Sequence, residues 1–231
     1  VYIGGVSSNS QSQVIALNPK TGAILATIPV TSTIGLGIVA LAVDPLSNKI
    51  FVSNASDNTV SVIDGRTNTV VSTVALNGQT PAGLGVNFLV GKVYVALNDN
   101  QVAIYKERNG VVTYATYGSQ TTGVAVDPFL FREYITDAVF DVPTVGVLNS
   151  RGKTVASVPV GLFPQGVDVD FVEHNVFVAN EADGTITEIN GESNAVIATI
   201  PVAASSIAVN PHQHTVYAVG SNSVTVLATE D

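Results

Sequence analysis

The sequence predicts an all-β fold made of repeated four-stranded sheets, and three observations predict it. Apolar and polar residues alternate at period two along most of the 231 residues, with Asn, Asp, Ser and Gly between the runs. Such alternation is the signature of a half-buried strand, and the interruptions are turn formers. An aromatic residue recurs in one run of each unit, at Tyr2, Phe51, Tyr94, Tyr134, Phe177 and Tyr217, with spacings of 49, 43, 40, 43 and 40 residues. No stretch keeps a helical period for three turns. A period near 43 is that of four-stranded propeller blades rather than of helical repeats. The expected architecture is therefore one six-bladed β-propeller domain, with repeats near 1–36, 37–83, 84–123, 124–166, 167–206 and 207–231. Seven blades, needing a larger segment beyond this sequence, is the alternative.

Each unit divides in the same way. The inner strand a reads "VALAVDP", "LGVNF", "VAVDP", "VDVDF" and "SIAVNP"; strand b carries the aromatic. Strand c reads "QVIALN", "TVSVID", "QVAIYK", "TVGVLN", "TITEIN" and "SVTVLA", and strand d "ILATIPV", "VVSTVAL", "VVTYATY", "TVASVPV" and "AVIATIPV". Between c and d, "NPKTG", "DGRTN", "KERNG", "NSRGK" and "NGESN" suit short hairpins. Gly83, Gly123 and Gly166 are expected just before strand a, where the chain crosses between blades. The first unit lacks a and the last lacks d, so an upstream d–a segment would seal the ring without long unpaired edges. The numbering starts on Val1, which fits removal of a leader peptide.

The pattern "P-x-G-V-x-V-D-P … V-Y-V-x-N … N-T-V-S-V-I-D … T-N-T-V-V-x-T-I" resembles the YVTN family of β-propeller repeats. The resemblance runs through nearly the whole chain and is tightest over 43–74 and 175–201; 84–123 and 129–150 depart from it. It implies an exported or cell-surface protein, as archaeal surface-layer proteins of that family are, and it implies no particular chemistry.

Composition narrows the functional classes. A net charge of −9 argues against nucleic acid as a partner, because its phosphates would be repelled. The absence of cysteine excludes disulfides, thiolate catalysis and Cys-ligated zinc. No apolar run approaches the ~20 residues that span a bilayer. Few charges (12%) and no Cys or Met suit an extracellular or cell-surface location.

Candidate sites are few. His174, His212 and His214 fall in a–b turns; two His at i, i+2 beside Glu173 suggest a metal site, but the expectation is solvated turn residues. No G-x-S-x-G elbow and no phosphate-cradling loop is present, so no catalytic residue and no cofactor is expected. Asp168 stands where the other inner strands have Ala42, Gly85, Ala125 and Ala208, making it the candidate for a cation or polar ligand in the channel, at low affinity if a divalent ion. Asp170, like Asp44, Asp127 and Asn210, reads as a turn-forming Asx residue. "NAS" makes Asn54 a glycosylation candidate in a b–c loop expected to be exposed.

The a–b turns "NFLVGK" and "PFLFRE" place Phe88, Leu89, Phe129, Leu130 and Phe131 on neighbouring blades of one face, as a partner-binding patch or as caps on their own blades. All nine basic residues map to a–b or c–d turns, whereas Asp57, Asp99, Asp137, Asp141, Glu181 and Asp183 map to b–c loops. One acidic and one mixed face follow. The expected function is a non-catalytic extracellular or cell-surface module for protein interaction or self-assembly. The alternative is a propeller enzyme of lyase or lactonase type with a metal or polar ligand in the channel.

Overall fold

Apolar alternation becomes strand throughout the computed structural model, which describes residues 1–7, 11–30 and 37–228. The first sheet contains β1 (Tyr2–Val6), β2 (Ser12–Leu17) and β3 (Ile24–Pro29). The second contains β4 (Ile38–Asp44), β5 (Lys49–Asn54), β6 (Thr59–Asp64) and β7 (Thr69–Ala75). The third contains β8 (Pro81–Asn87), β9 (Lys92–Leu97), β10 (Gln101–Lys106) and β11 (Val111–Thr116). The fourth contains β12 (Thr121–Asp127), β13 (Arg132–Asp137), β14 (Thr144–Asn149) and β15 (Thr154–Pro159). The fifth contains β16 (Pro164–Asp170), β17 (Asn175–Asn180), β18 (Thr185–Asn190) and β19 (Ala195–Ile200). The sixth contains β20 (Ser206–Asn210), β21 (Thr215–Val219) and β22 (Val224–Ala228).

All pairings are antiparallel, the sheets form a six-bladed β-propeller rather than a seven-bladed one, and among the described residues the first and last blades have three strands each. Among the described residues no helix is long and apolar enough to cross a membrane.

The register explains the aromatic repeat. Small residues of strand a sit opposite large rings of strand b: Ala42 with Phe51, Gly85 with Tyr94, Ala125 with Tyr134, and Ala208 with Tyr217. The rings of the first five blades pack against the following blade, so the core is a series of inter-blade clusters. Phe51 meets Leu84 and Val93, Tyr94 meets Val124 and Ile135, and Phe177 meets Ile207 and Val216. Phe51, Tyr94, Tyr134 and Phe177 are fully buried, while Tyr2 and Tyr217 are half-buried.

Polar latches join blades at the same end. The Tyr2 hydroxyl donates to Asn68 Oδ1 (2.9 Å), and Lys49 Nζ reaches Glu107 Oε2 (2.9 Å) in the c–d turn of the next blade. Lys92 donates to the Ser150 carbonyl, and Arg132 to the Gly191 carbonyl, each one blade on.

Gly83, Gly123 and Gly166 lie inside strand a, not before it as expected. They occupy β-bulges at the entry of β8, β12 and β16, where the register against strand b shifts. A bulge twists the strand where it turns in toward the axis. A Cβ on Gly123 would stand 2.6 Å from the Gln165 carbonyl, so inner strands of adjacent blades meet backbone to backbone.

Candidate functional site

The inner strands enclose a cavity of about 910 Å³ along the axis. Its wall includes Gly83, Gly123 and Gly166 at the bulges, and Gly85, Ala125 and Ala208, which are small where the aromatics opposite them occupy the space between sheets. Where the a–b turns emerge, larger residues surround the opening. Asp44, Asp127, Asp170 and Asn210 form the expected Asx turns. Asp127 Oδ1, for example, accepts from the Phe129 and Leu130 N–H groups at 2.9 Å each.

These turns carry three phenylalanines over the axis. The ring centroids of Phe88 and Phe129 are 6.3 Å apart, those of Phe129 and Phe171 5.7 Å, and those of Phe88 and Phe171 6.3 Å. His212 meets Phe171 edge-on at 6.5 Å. Edge-to-face and tilted pairs in this range are favourable beyond the area they bury. Phe88 and Phe129 were expected on this face and His212 in its turn; Phe171 was not singled out, although "LGVNF" and "VDVDF" carry Phe at the same place after the Asx residue.

The five predicted patch residues divide. Leu89, Phe129 and Phe131 are exposed, Phe129 by 51%, whereas Phe88 and Leu130 are half-buried. Phe131 also has a φ of +53°, in the turn position that Asn48, His174 and His214 fill in other blades. A bulky side chain there is an outlier.

Asp168 lies on the channel wall, as expected, but it is not simply solvated. Its Oδ2 accepts from the Val209 N–H (2.7 Å) of the next blade and its Oδ1 from the Val169 N–H (2.8 Å). Burial pushes its acid up to about 6, against these two hydrogen bonds and with a small push from Asp170.

Two of the three histidines differ from expectation as well. His174 Nδ1 lies 2.6 Å from Asp127 Oδ2, and His214 Nδ1 lies 2.8 Å from Asp170 Oδ2, each joining a turn to the buried Asx carboxylate of the preceding blade. They are inter-blade latches rather than solvated turn residues. Where the fourth blade has Phe131 at the corresponding position, the third blade carries Asn87 in place of Asp. Among the described residues no three His, Cys, Asp or Glu side chains are grouped to hold a metal ion.

The expectation that Asn54 is exposed is corrected. Asn54 closes β5 and is fully buried, its Nδ2 donating to Thr59 Oγ1 (3.1 Å) and Ser61 Oγ (2.9 Å). Asn180 repeats this with Thr185 and Thr187. The side-chain amide stitches the b–c hairpin, so the folded protein does not present it to solvent.

No family model and no curated protein matches the chain. Among solved structures, the hydrazine synthase of Kuenenia stuttgartiensis is similar, with a TM-score of 0.63 and 14% identity over 94% of this chain and 89% of that one. The likeness is one of fold.

The strand ends place all nine basic residues at the a–b and c–d end of the disc. The opposite end carries Asp57, Asp99, Asp141, Glu181 and Asp183; Asp137, also there, is buried and accepts from the Ser119 and Gln120 N–H groups. That end is not purely charged. Phe140 is 81% exposed and Val142 65%, with Leu162 and Phe163 exposed at the crossing beside them.

Proposed function

We propose that this protein is a non-catalytic extracellular or cell-surface module of the YVTN type that assembles with copies of itself, face to face. One observation carries the reading: the fourth blade has exposed aromatics at both ends in unlike electrostatic surroundings, one mixed and one acidic. At one end, Phe129 and Phe131 lie among the basic turns; at the other, Phe140 lies among the exposed Asp141, Glu181 and Asp183. Contiguous exposed apolar groups rimmed by charge are typical of interaction surfaces. Unlike faces that fit each other form heterologous contacts, which propagate into fibres or layers when they do not close. Low charge and the absence of Cys and Met support the location.

Phe129→Ser with Phe131→Ser, and separately Phe140→Ser, are each expected to abolish association in sedimentation velocity, at a stability cost of about 1–2 kcal/mol for the double variant, which loses the Phe129 ring contacts, and less than about 1 kcal/mol for Phe140→Ser. Mixed together, the two variants should form dimers and nothing larger, since each retains one intact face. Continued assembly of either variant alone, or a monomeric wild-type protein at high concentration, would overturn the reading. High salt should weaken the contact by screening the rim charges.

The second reading, a propeller enzyme of lyase or lactonase type, is favoured only by Asp168 in the channel. Calorimetric titration with a divalent metal separates the two, because a metal-dependent channel enzyme binds its ion tightly.

A further inference from the structure

The channel departs from its own repeat at one wall position. In the second, third, fourth and sixth blades the residue opposite the strand-b aromatic is Ala42, Gly85, Ala125 or Ala208; in the fifth it is Asp168, opposite Phe177. An acid in a wall of Gly, Ala and Val costs desolvation energy unless something compensates it. Two backbone N–H groups do so in part, fixing the carboxylate at the seam between the fifth and sixth blades, where it still borders the cavity. Because its acid is raised only to about 6, the group is anionic above neutral pH.

Phe171 follows Asp168 by three residues, in the turn after β16, which at strand rise carries the backbone up to about 10 Å further along the axis. Phe88 and Phe129 adjoin that ring and border the same cavity. The site thus has an anion at depth, walls of small apolar residues and aromatic rings at the mouth. At about 910 Å³, the cavity is of the size that small-molecule sites have.

We infer that the channel binds a small organic amine, with its ammonium group at Asp168 and its apolar stem running toward Phe88, Phe129 and Phe171. The carboxylate supplies the charge partner, and the rings supply apolar area and attract cationic character through their faces. A neutral molecule of the same shape leaves the carboxylate without a charge partner and forfeits the ion pair. The site shares Phe129 with the proposed assembly face, so the titration is run at a protein concentration at which the chain is monomeric, which keeps the two tests apart.

The probe is 4-phenylbutylamine, whose extended length from ammonium to the far edge of its ring approaches this distance, titrated calorimetrically into the intact protein slightly above neutral pH. Binding to the wild type is expected, with a loss of roughly tenfold or more for Asp168→Ala. That variant installs the residue present at Ala42, Ala125 and Ala208, and its thermal melt reports whether it folds. Independently of any variant, 4-phenylbutan-1-ol should bind the wild type at least roughly tenfold more weakly than the amine. A Gly-Lys-Gly peptide, offering the same ammonium from a protein chain, should bind more weakly than the free amine. No binding of the amine, equal binding of amine and alcohol, unchanged binding by the folded Asp168→Ala variant, or tighter binding of the peptide would each overturn the inference.

Discussion

Glu133→Gln is expected to remove a stability slope that the wild-type protein shows up to about pH 8, seen free of other groups from about pH 6. Glu133 occupies a core position of the fourth blade, facing the third, where the corresponding residues are Ile50, Val93, Val176 and Val216. It is fully buried, and neither carboxyl oxygen has a hydrogen bond of good geometry. Burial pushes its acid up to about 8, with the Tyr94 hydroxyl and the Lys92 ammonium pulling weakly the other way. The folded chain therefore keeps a proton that the unfolded chain releases above its ordinary value of 4.5. Stability is highest below that value and falls as pH rises to about 8, in total by on the order of 5 kcal/mol. Asp168 acts with the same sign, but its contribution ends near its own value of about 6. The difference between wild type and Glu133→Gln above that pH therefore isolates Glu133. Denaturant melts at successive pH values are the measurement. Parallel curves for the two proteins would show that Glu133 is already ionised in the fold.

Gly123→Ala is expected to destabilise the protein by about 2–3 kcal/mol, as overpacking against an unyielding neighbour does. The added carbon would lie 2.6 Å from the Gln165 carbonyl and 3.0 Å from both Thr136 Oγ1 and Val167 Cγ1. The first of these is backbone of the next inner strand, so relief requires two blades to separate. Gly5→Ala in β1 is the control: nothing lies within 4 Å of its Cβ position, and a change within about 0.5 kcal/mol is expected. Equal denaturant midpoints for the two variants would mean that the inner strands are not in backbone contact at Gly123.

Much of this architecture was legible because its signals are local. Strand identity needs only period-two alternation, and the turns need only residues such as Asn68 and Gly110, which both take positive φ at c–d hairpins. Blade number followed from the spacing of six aromatics, since a ring of identical function must recur once per sheet. The candidate site was legible only in part. Phe88, Phe129 and Asp168 stood out because each breaks the pattern of its own repeat.

What the sequence by itself determined is the order of strands, the unit of repetition and the end of the disc at which each turn emerges. These depend on residues a few positions apart. The tertiary structure alone decided which side chains from different blades meet. Phe171 joins Phe88 across two blades, His174 and His214 reach Asp127 and Asp170, and Asp168 is fixed by the Val209 N–H. Asn54, an apparent loop residue, is drawn inside its hairpin. Each of these except the last joins residues some forty or more positions apart, and each depends on how the curved ring brings sheet edges together. Alternation carries no information about that distance, because it states which face a side chain takes and not what stands opposite.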